Sequence, residues 1–306
     1  MSVLALLLVV LVQMLNAISK TWGDGEKRIE NFGNGRAILD LIARELAPAV
    51  ISNAHQMIQN PFTDAQRSAT VPTLAPNSDS LFWQAPLRAS PNGDLCEVGY
   101  YLTDPGANGK GPYQLKRFFV PQDHAKFLVY ATSYTPNSTT ARWIASPTGT
   151  TFTATEFDNV SSVVSDGVLG FWVRCFDVNG EPIPWFLSNS PEKASAPNTK
   201  FNSAARFQPA VVGTAGSITS PWPYTLNTSP ITAQANRLPS VIEISIATID
   251  SRTLKRNPTL PTTPTVATPS DLPNVLTTLF NVTLPGNRID SARLFTTRVR
   301  LINGTQ

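Results

Sequence analysis

The sequence predicts an α+β fold: a long N-terminal helix packed on a β-rich head of antiparallel sheets. Three observations carry this expectation. Apolar residues fill the first eighteen positions almost without a break, and between Lys20 and Ile51 they recur at three- and four-residue steps. Beyond about residue 60 the apolar period drops to two, the spacing of a strand. Pro (26) and Gly (17) are frequent, and Thr, Ser and Asn crowd the second half, which favours strands joined by turns over helical bundles.

Val3 to Val12 is an unbroken run of ten apolar residues, and only Gln13 and Asn16 interrupt the pattern before Ile18. As a helix, Met1 to Ile18 reaches ~27 Å, marginal against a hydrocarbon core of ~30 Å. It reads poorly as a secretory signal: no Lys or Arg precedes the run, and Leu15-Asn16-Ala17 is a weak small-x-small site. A buried core helix accords poorly with the terminal position and the lack of a polar face.

The helical pattern continues. Ile29, Phe32, Ile38 or Leu39, Ile42, Leu46 and Val50 line one face, while Glu26, Lys27, Glu30, Asn31, Arg36, Asp40, Arg44 and Glu45 fill the other. Asp40 and Arg44 are placed to pair at i, i+4. Pro48 perturbs or ends the helix. Gly23, Gly25, Gly33 and Gly35 each lower helix propensity by roughly 1 kcal/mol relative to Ala, so a bend is expected there. The division is therefore one helix over 1–55 and a head over 56–306.

Within the head, Leu95 to Thr103 alternates, with Cys96, Val98, Tyr100 and Leu102 on one face. Leu115 to Val120 and Phe127 to Thr132 are shorter strand candidates. Val168 to Val178 is the strongest, with Leu169, Phe171, Val173 and Cys175 sharing a face; Asn179-Gly180 follows as a tight turn. Ile183 to Leu187 then returns as its partner, and Pro182 and Pro184 mark it as an edge strand. Val241 to Asp250 aligns Ile242, Ile244 and Ile246, and Leu294 to Ile302 aligns Phe295, Val299 and Leu301. Such alternation suits sheets with one buried and one wet face. Pro-, Ser- and Thr-rich segments over 189–239 and 257–273 read as long loops, and Ser270 to Phe280 as a short helix.

The sequence offers little chemistry. The net charge is +3 with the basic residues scattered, so no footprint for nucleic acid exists. His55 and His124, the two histidines, fall in no ligand spacing and read as exposed. There is no Gly-x-Ser-x-Gly elbow and no P-loop. No carboxylate pair has the apolar setting that tunes an acid-base couple. Catalytic residues, metal and cofactor are all expected to be none. Cys96 and Cys175 read equally well as a possible disulfide in an exported chain and as two buried thiols. Trp83, Trp143, Trp172, Trp185 and Trp222 suggest a sugar-binding surface, although Trp172 and Trp185 fall in strands and read as core or groove-lining.

At the N-terminus the stretch Leu4-Ala-Leu-Leu-Leu-Val-Val-Leu-Val-Gln-Met-Leu-Asn resembles the latter part of a pilin helix. Arg36-Ala-Ile-Leu-Asp-Leu-Ile-Ala-Arg-Glu-Leu and Leu238-Pro-Ser-Val-Ile-Glu-Ile-Ser-Ile resemble the minor pseudopilin J type of type II secretion systems. Ser80-Leu-Phe-Trp-Gln-Ala-Pro, Gly170-Phe-Trp-Val-Arg and Phe295-Thr-Thr-Arg-Val are similar to the Verru/Chthon cassette protein C group, pseudopilin-like proteins of Verrucomicrobia. One departure stands out. The family's basic leader and Gly-Phe-Thr-Leu-x-Glu motif are missing, and the expectation is that they lie upstream of Met1.

The resemblance implies a pilin-like helix and a structural, non-enzymatic subunit of a type II secretion or type IV pilus-like assembly. Its expected place is the inner membrane, single-pass, with the head in the periplasm. The implied partners are other pseudopilin-like subunits, the inner membrane and exported substrates. Leu6, Val9, Val10 and Val12 are expected to make membrane and helix contacts, and Ile38, Leu41 and Ile42 to dock the helix on the head. The alternative is a secreted β-sandwich binding module, sugar-binding through its tryptophans.

Overall fold

The protein is described from a computed structural model. The described residues are 2–50, 55–60, 74–75, 78–90, 93–105, 113–127, 152–176, 239–249 and 292–302, with Val129, Gly180, Pro182–Ile183, Ser203, Thr225–Leu226 and Ser229–Pro230. They form a mixed helix-and-strand fold, in which an N-terminal helix lies against a curled antiparallel sheet.

Helix α1 runs from Ser2 to Leu46 without interruption, 45 residues or about 67 Å at 1.5 Å per residue. The four glycines do not interrupt it. At Gly35 there is a packing reason for the missing side chain: a Cβ there would overlap the Phe295 ring. The helix stops at Leu46, short of the expected 55, because Pro48 cannot donate and its ring clashes with the carbonyl four residues back. Ala47 and Ala49 close the last turn onto Ala43 O and Leu46 O, and the Val50 N–H donates to Gln84 O at 2.9 Å. The chain thus leaves the helix directly along the sheet. The expected Asp40–Arg44 pair gives way to an exposed Arg36–Asp40 contact one turn earlier.

The strands are β1 (Ile58–Gln59), β2 (Leu81–Ser90), β3 (Gly93–Thr103), β4 (Tyr113–Pro121), β5 (Ser161–Phe176), β6 (Pro182–Ile183), β7 (Thr225–Leu226), β8 (Ser229–Pro230), β9 (Val241–Thr248) and β10 (Arg293–Arg300). The main sheet has the order β1-β2-β3-β4-β5-β9-β10, with β6 paired to the end of β5; β7 and β8 form a separate ribbon. Gly180, at φ +80°, supplies the left-handed turn between β5 and β6. Of the expected return strand, Ile183 is described and pairs with Cys175; residues 184–187 lie outside the described residues.

The expected one-sided burial is corrected. Both faces of the central strands are covered: β3 is buried continuously from Cys96 to Thr103 and β5 from Gly167 to Cys175. One face carries Trp83, Tyr100, Val98, Phe171, Val173, Ile242, Ile244 and Ile246 against α1 residues Ile38, Leu39, Ile42 and Leu46. The opposite face carries Phe82, Tyr101 and Phe118 with Phe152 and Phe157. The last of these lies on α2 (Ala154–Asn159), a helix the sequence reading missed. Its signal is present as the capping box Thr153-x-x-Glu156, whose side chains and backbone N–H groups bond reciprocally. The Thr153 N–H donated to Glu156 holds that exposed carboxyl below its ordinary value.

Parity in β5 also differs from the expectation. Val168 pairs with Thr248 and Gly170 with Ala247, so Leu169 is an extra residue in a bulge, and Gly167 just before it sits at φ +76°. Val168, not Leu169, therefore joins the helix-facing core. Strand β2 was not anticipated as one, because burial on both faces erases its alternation and Pro86 sits within it. Phe127 lies in a turn, with its N–H donated to His124 O, rather than opening a strand; residues 130–132 lie outside the described residues. So do 257–273, the expected helix over 270–280 and most of 189–239.

The curl of the sheet is pinned by one buried carboxylate. Asp79 Oδ1 accepts from Asn60 Nδ2, and Oδ2 accepts from the Val173 N–H, each at 2.8 Å; Arg174 Nη1 lies 3.4 Å from Oδ2. The Asp79 N–H donates to Phe171 O, and Gln59 Nε2 to Val173 O. Burial pushes the Asp79 carboxyl up, and Arg174, Val173 and Asn60 pull it back. Burial pulls the Arg174 guanidinium down. Asp79→Ala removes the acceptor shared by β1, β5 and the lead into β2 and leaves Arg174 buried without its carboxylate. It is expected to cost about 3–5 kcal/mol, read as a lowered urea midpoint, whereas Asp158→Ala at the exposed Lys116 contact moves the midpoint by under about 1 kcal/mol.

Candidate assembly interface

The start of α1 makes a rod rather than a packed helix. Leu7 to Val12 are exposed on every side, with Val9, Val10 and Val12 at 54%, 45% and 44%, and the exposure continues through Met14, Leu15, Ile18 and Trp22. Leu6 is helical, but its side chain lies outside the described residues. Surface of this kind marks a place where lipid or another protein is expected. Among the described residues, no helix is long and apolar enough to cross a membrane.

Toward its C-terminal end the helix changes role. Ile38 and Ile42 are buried in the main core, as docking residues must be, together with Leu39 and Leu46. Leu41 is half-buried and lines a groove of 540 Å³ with Ala37, Val163, Val164 and Ile249 on one flank of the helix. Ile29 and Phe32, expected on the docking face, are corrected: they are exposed at 76% and 56%. The buried face is instead Asn31, which the sequence reading placed on the polar side, with Gly35, Ile38 and Ile42. The reason is that α1 meets the sheet only from about residue 31 onward. Phe32 touches it from the side, its ring edge-on to Phe295 at 5.4 Å. Beneath that contact a second groove of 660 Å³ runs between α1 and β10, lined by Ile29, Gly33, Arg36, Leu39 and Thr297.

The docking is completed by a polar cluster that sequence reasoning missed. Glu45 was placed on a polar face, yet it is only 7% exposed. Its carboxylate accepts from Arg117 Nε at 3.0 Å and Nη2 at 2.7 Å, and from the Tyr100 hydroxyl at 2.6 Å. Trp83 Nε1 donates to the Glu45 carbonyl at 3.1 Å, and the Arg117 guanidinium lies 4.1 Å from the centre of the Phe119 ring. Burial, reinforced by Glu45, raises the Tyr100 hydroxyl well above its ordinary value, so it stays protonated and donates. Burial pulls Arg117 down, but the Glu45 hydrogen bonds and charge outweigh it and hold the guanidinium above its usual range. No local motif marks this cluster, because Arg117 lies 72 residues from Glu45 along the chain.

The other candidates separate. Cys96 and Cys175 are both buried and form no disulfide, so the disulfide reading is corrected. Cys96 pairs across to Ala85 and Pro121, and Cys175 to Ile242 and Ile183, so no strand register juxtaposes them. Burial pushes the Cys175 thiol far up, which leaves it inert. His55 is half-buried rather than exposed, and burial lowers its imidazole; His124 accepts the Lys126 N–H in a turn. Trp83 and Trp172 are buried, and Trp143, Trp185 and Trp222 lie outside the described residues. Among the described residues, no three His, Cys, Asp or Glu side chains gather where a metal ion would sit.

Comparison with protein-family models, with curated proteins and with solved structures returns no match to this chain. The reading of the interface therefore rests on its geometry and on the sequence resemblance. Glu45→Ala leaves Arg117 and Tyr100 without their acceptor and is expected to destabilise by about 2–4 kcal/mol. A double-mutant cycle with Arg117→Ala, followed through circular dichroism in urea, is expected to give a coupling of about 1–3 kcal/mol.

Proposed function

We propose that the chain is a structural, pseudopilin-like subunit of a type II secretion or type IV pilus-like assembly, built into it through α1. The observation that carries the reading is the division of labour along one continuous helix. Residues up to about 30 leave their large apolar side chains exposed, and residues 31–46 are clamped to the sheet. A helix needed only for stability would bury its apolar residues. One whose apolar end is left uncovered gains from association with lipid or with other helices. Clamping the far end by Ile38, Ile42 and the Glu45 cluster makes the head follow the rod, so that a contact made by the helix positions the head.

In this reading the packing is pilin-like, the apolar end is held at the inner membrane, and the head lies in the periplasm. There it meets other pseudopilin-like subunits and exported substrates. The J-type role, priming assembly from a tip complex, comes with the resemblance alone.

The test is fractionation of the full chain. It is expected in the membrane pellet and to resist alkaline carbonate. Val9→Asp and Val12→Asp, each costing about 2.5–3.5 kcal/mol on burial in lipid, are expected to move it to the supernatant with the thermal midpoint of the head unchanged. Wild-type chain released by carbonate, or both variants retained, would sink the proposal.

A further inference from the structure

Strand β10 ends the order β1-β2-β3-β4-β5-β9-β10 and leaves a long edge of the sheet open. The opposite end is drawn in, because Gln59 of β1 donates its side-chain N–H to Val173 O of β5. The phase of β10 follows from its last bond. The Leu301 N–H donates to Ser240 O at 3.1 Å, and Arg300 pairs with Val241. In an antiparallel ladder, alternate residues bond one neighbour and the rest face away from it. Phe295, Thr297 and Val299 therefore turn their N–H and C=O groups to β9, and Leu294, Thr296, Arg298 and Arg300 turn theirs outward. Strand β5 fixes the same phase independently. The Val173 N–H donates to Asp79 and its carbonyl accepts from Gln59, so Trp172 and Arg174 bond β9 at Ser245 and Glu243. That leaves Ile242, Ile244 and Ile246 for β10. Among the described residues, the outward backbone groups of β10 meet no partner.

The open edge has two different sides. On the helix side it adjoins the groove of 660 Å³ under α1, which Phe295, Thr296 and Thr297 all line. Three consecutive residues of a strand cannot all present side chains to one face, so the groove reaches the backbone of the edge itself. Its roof is Ile29 and Phe32, both exposed. The other side of the edge is basic. Between 293 and 300 there are three arginines and no carboxylate. Arg298 is met by Glu243 at 2.8 Å, and Arg300 is exposed and, among the described residues, meets no carboxylate. Arginines alone would do no more than discourage stray pairing. An apolar groove opening on the same unpaired backbone is not needed for that.

We propose that β10 is a docking edge for an extended acidic segment of a partner protein, added to the sheet as one more strand. Backbone bonds to Leu294, Thr296, Arg298 and Arg300 would hold it, as in other cases of strand addition. Its alternate side chains would enter the groove under Ile29 and Phe32, and those between would lie beside Arg298 and Arg300. The segment recognised is therefore one that alternates apolar and acidic residues. A second copy of β10 is a poor occupant, since the ribbon would carry three arginines from each strand and no carboxylate. The proposal concerns the head and does not need the assembly reading.

Fluorescence anisotropy with the full chain in detergent tests it. The probe is a labelled peptide as long as β10 that alternates Val with Glu. It is expected to bind saturably, and the same peptide with Lys for Glu to bind about tenfold more weakly. A fully N-methylated version, which has no backbone donors, is expected to lose about tenfold or more. Arg300→Glu is expected to weaken the Val-Glu peptide and strengthen the Val-Lys peptide, each by about threefold, with the melting midpoint of the head unchanged. Hydrogen exchange over Arg293–Arg300 needs no variant: the Val-Glu peptide is expected to slow the outward amides by about tenfold. No saturable binding, equal binding of the Lys or N-methylated peptide, or an indifferent Arg300→Glu would overturn the proposal. So would outward amides already slow in the free chain. Slowness lost on dilution would assign the edge to a second copy, and slowness that survives dilution to another segment of the same chain.

Discussion

Everything in this molecule depends on how the last four turns of α1 are held. A helix of this length cannot be fixed by one end unless its grip resists both sliding and rolling. Ile38, Ile42 and Leu46 supply burial, which is strong and without direction. Glu45 supplies direction: two guanidinium donors, a phenol and an indole N–H converge on its side chain and carbonyl. A bidentate pair of this kind specifies rotation as well as distance. Gly35 against Phe295 settles the height at which the helix crosses β10.

That grip needs a rigid floor, and the curled sheet provides one. Its central strands are apolar on both faces, so the floor is packed between α1 and the aromatic cluster around α2. The curl brings the lead into β2 against the second half of β5, past the end of β4, where Asp79 bonds to both. Two buried carboxylates thus organise the described fold: Asp79 holds the sheet in shape, and Glu45 holds the helix on the sheet. Each is 7% exposed or less and surrounded by donors, a setting in which loss of one partner costs far more than the pair contributes in net terms.

Legibility in the sequence followed range. The helix, β3, β9 and β10 were readable because one face of each alternates or repeats over eight residues or more. β2 was not, since burial on both faces removes the alternation and Pro86 reads as a break. Leu169 was misplaced because a bulge shifts parity without leaving a pattern on its own strand. Ile29 and Phe32 satisfy the helical period yet lie outside the core, because periodicity reports which residues share a face and not where along the helix a neighbour begins.

The sequence by itself determined that α1 is helical from its first residues, that its start is apolar on all sides, and that strands follow with Ile242, Ile244, Ile246 and Val299 turned inward. These are local properties, decided by side-chain type and spacing over a few turns. Only the tertiary structure decided that the helix docks from residue 31 onward, that Glu45 meets Arg117, that no strand register pairs the two cysteines, and that Trp22 and Ile29 are left uncovered. Each of those outcomes depends on which distant segment comes to lie alongside, and pairings across tens of residues leave no periodic trace in the chain.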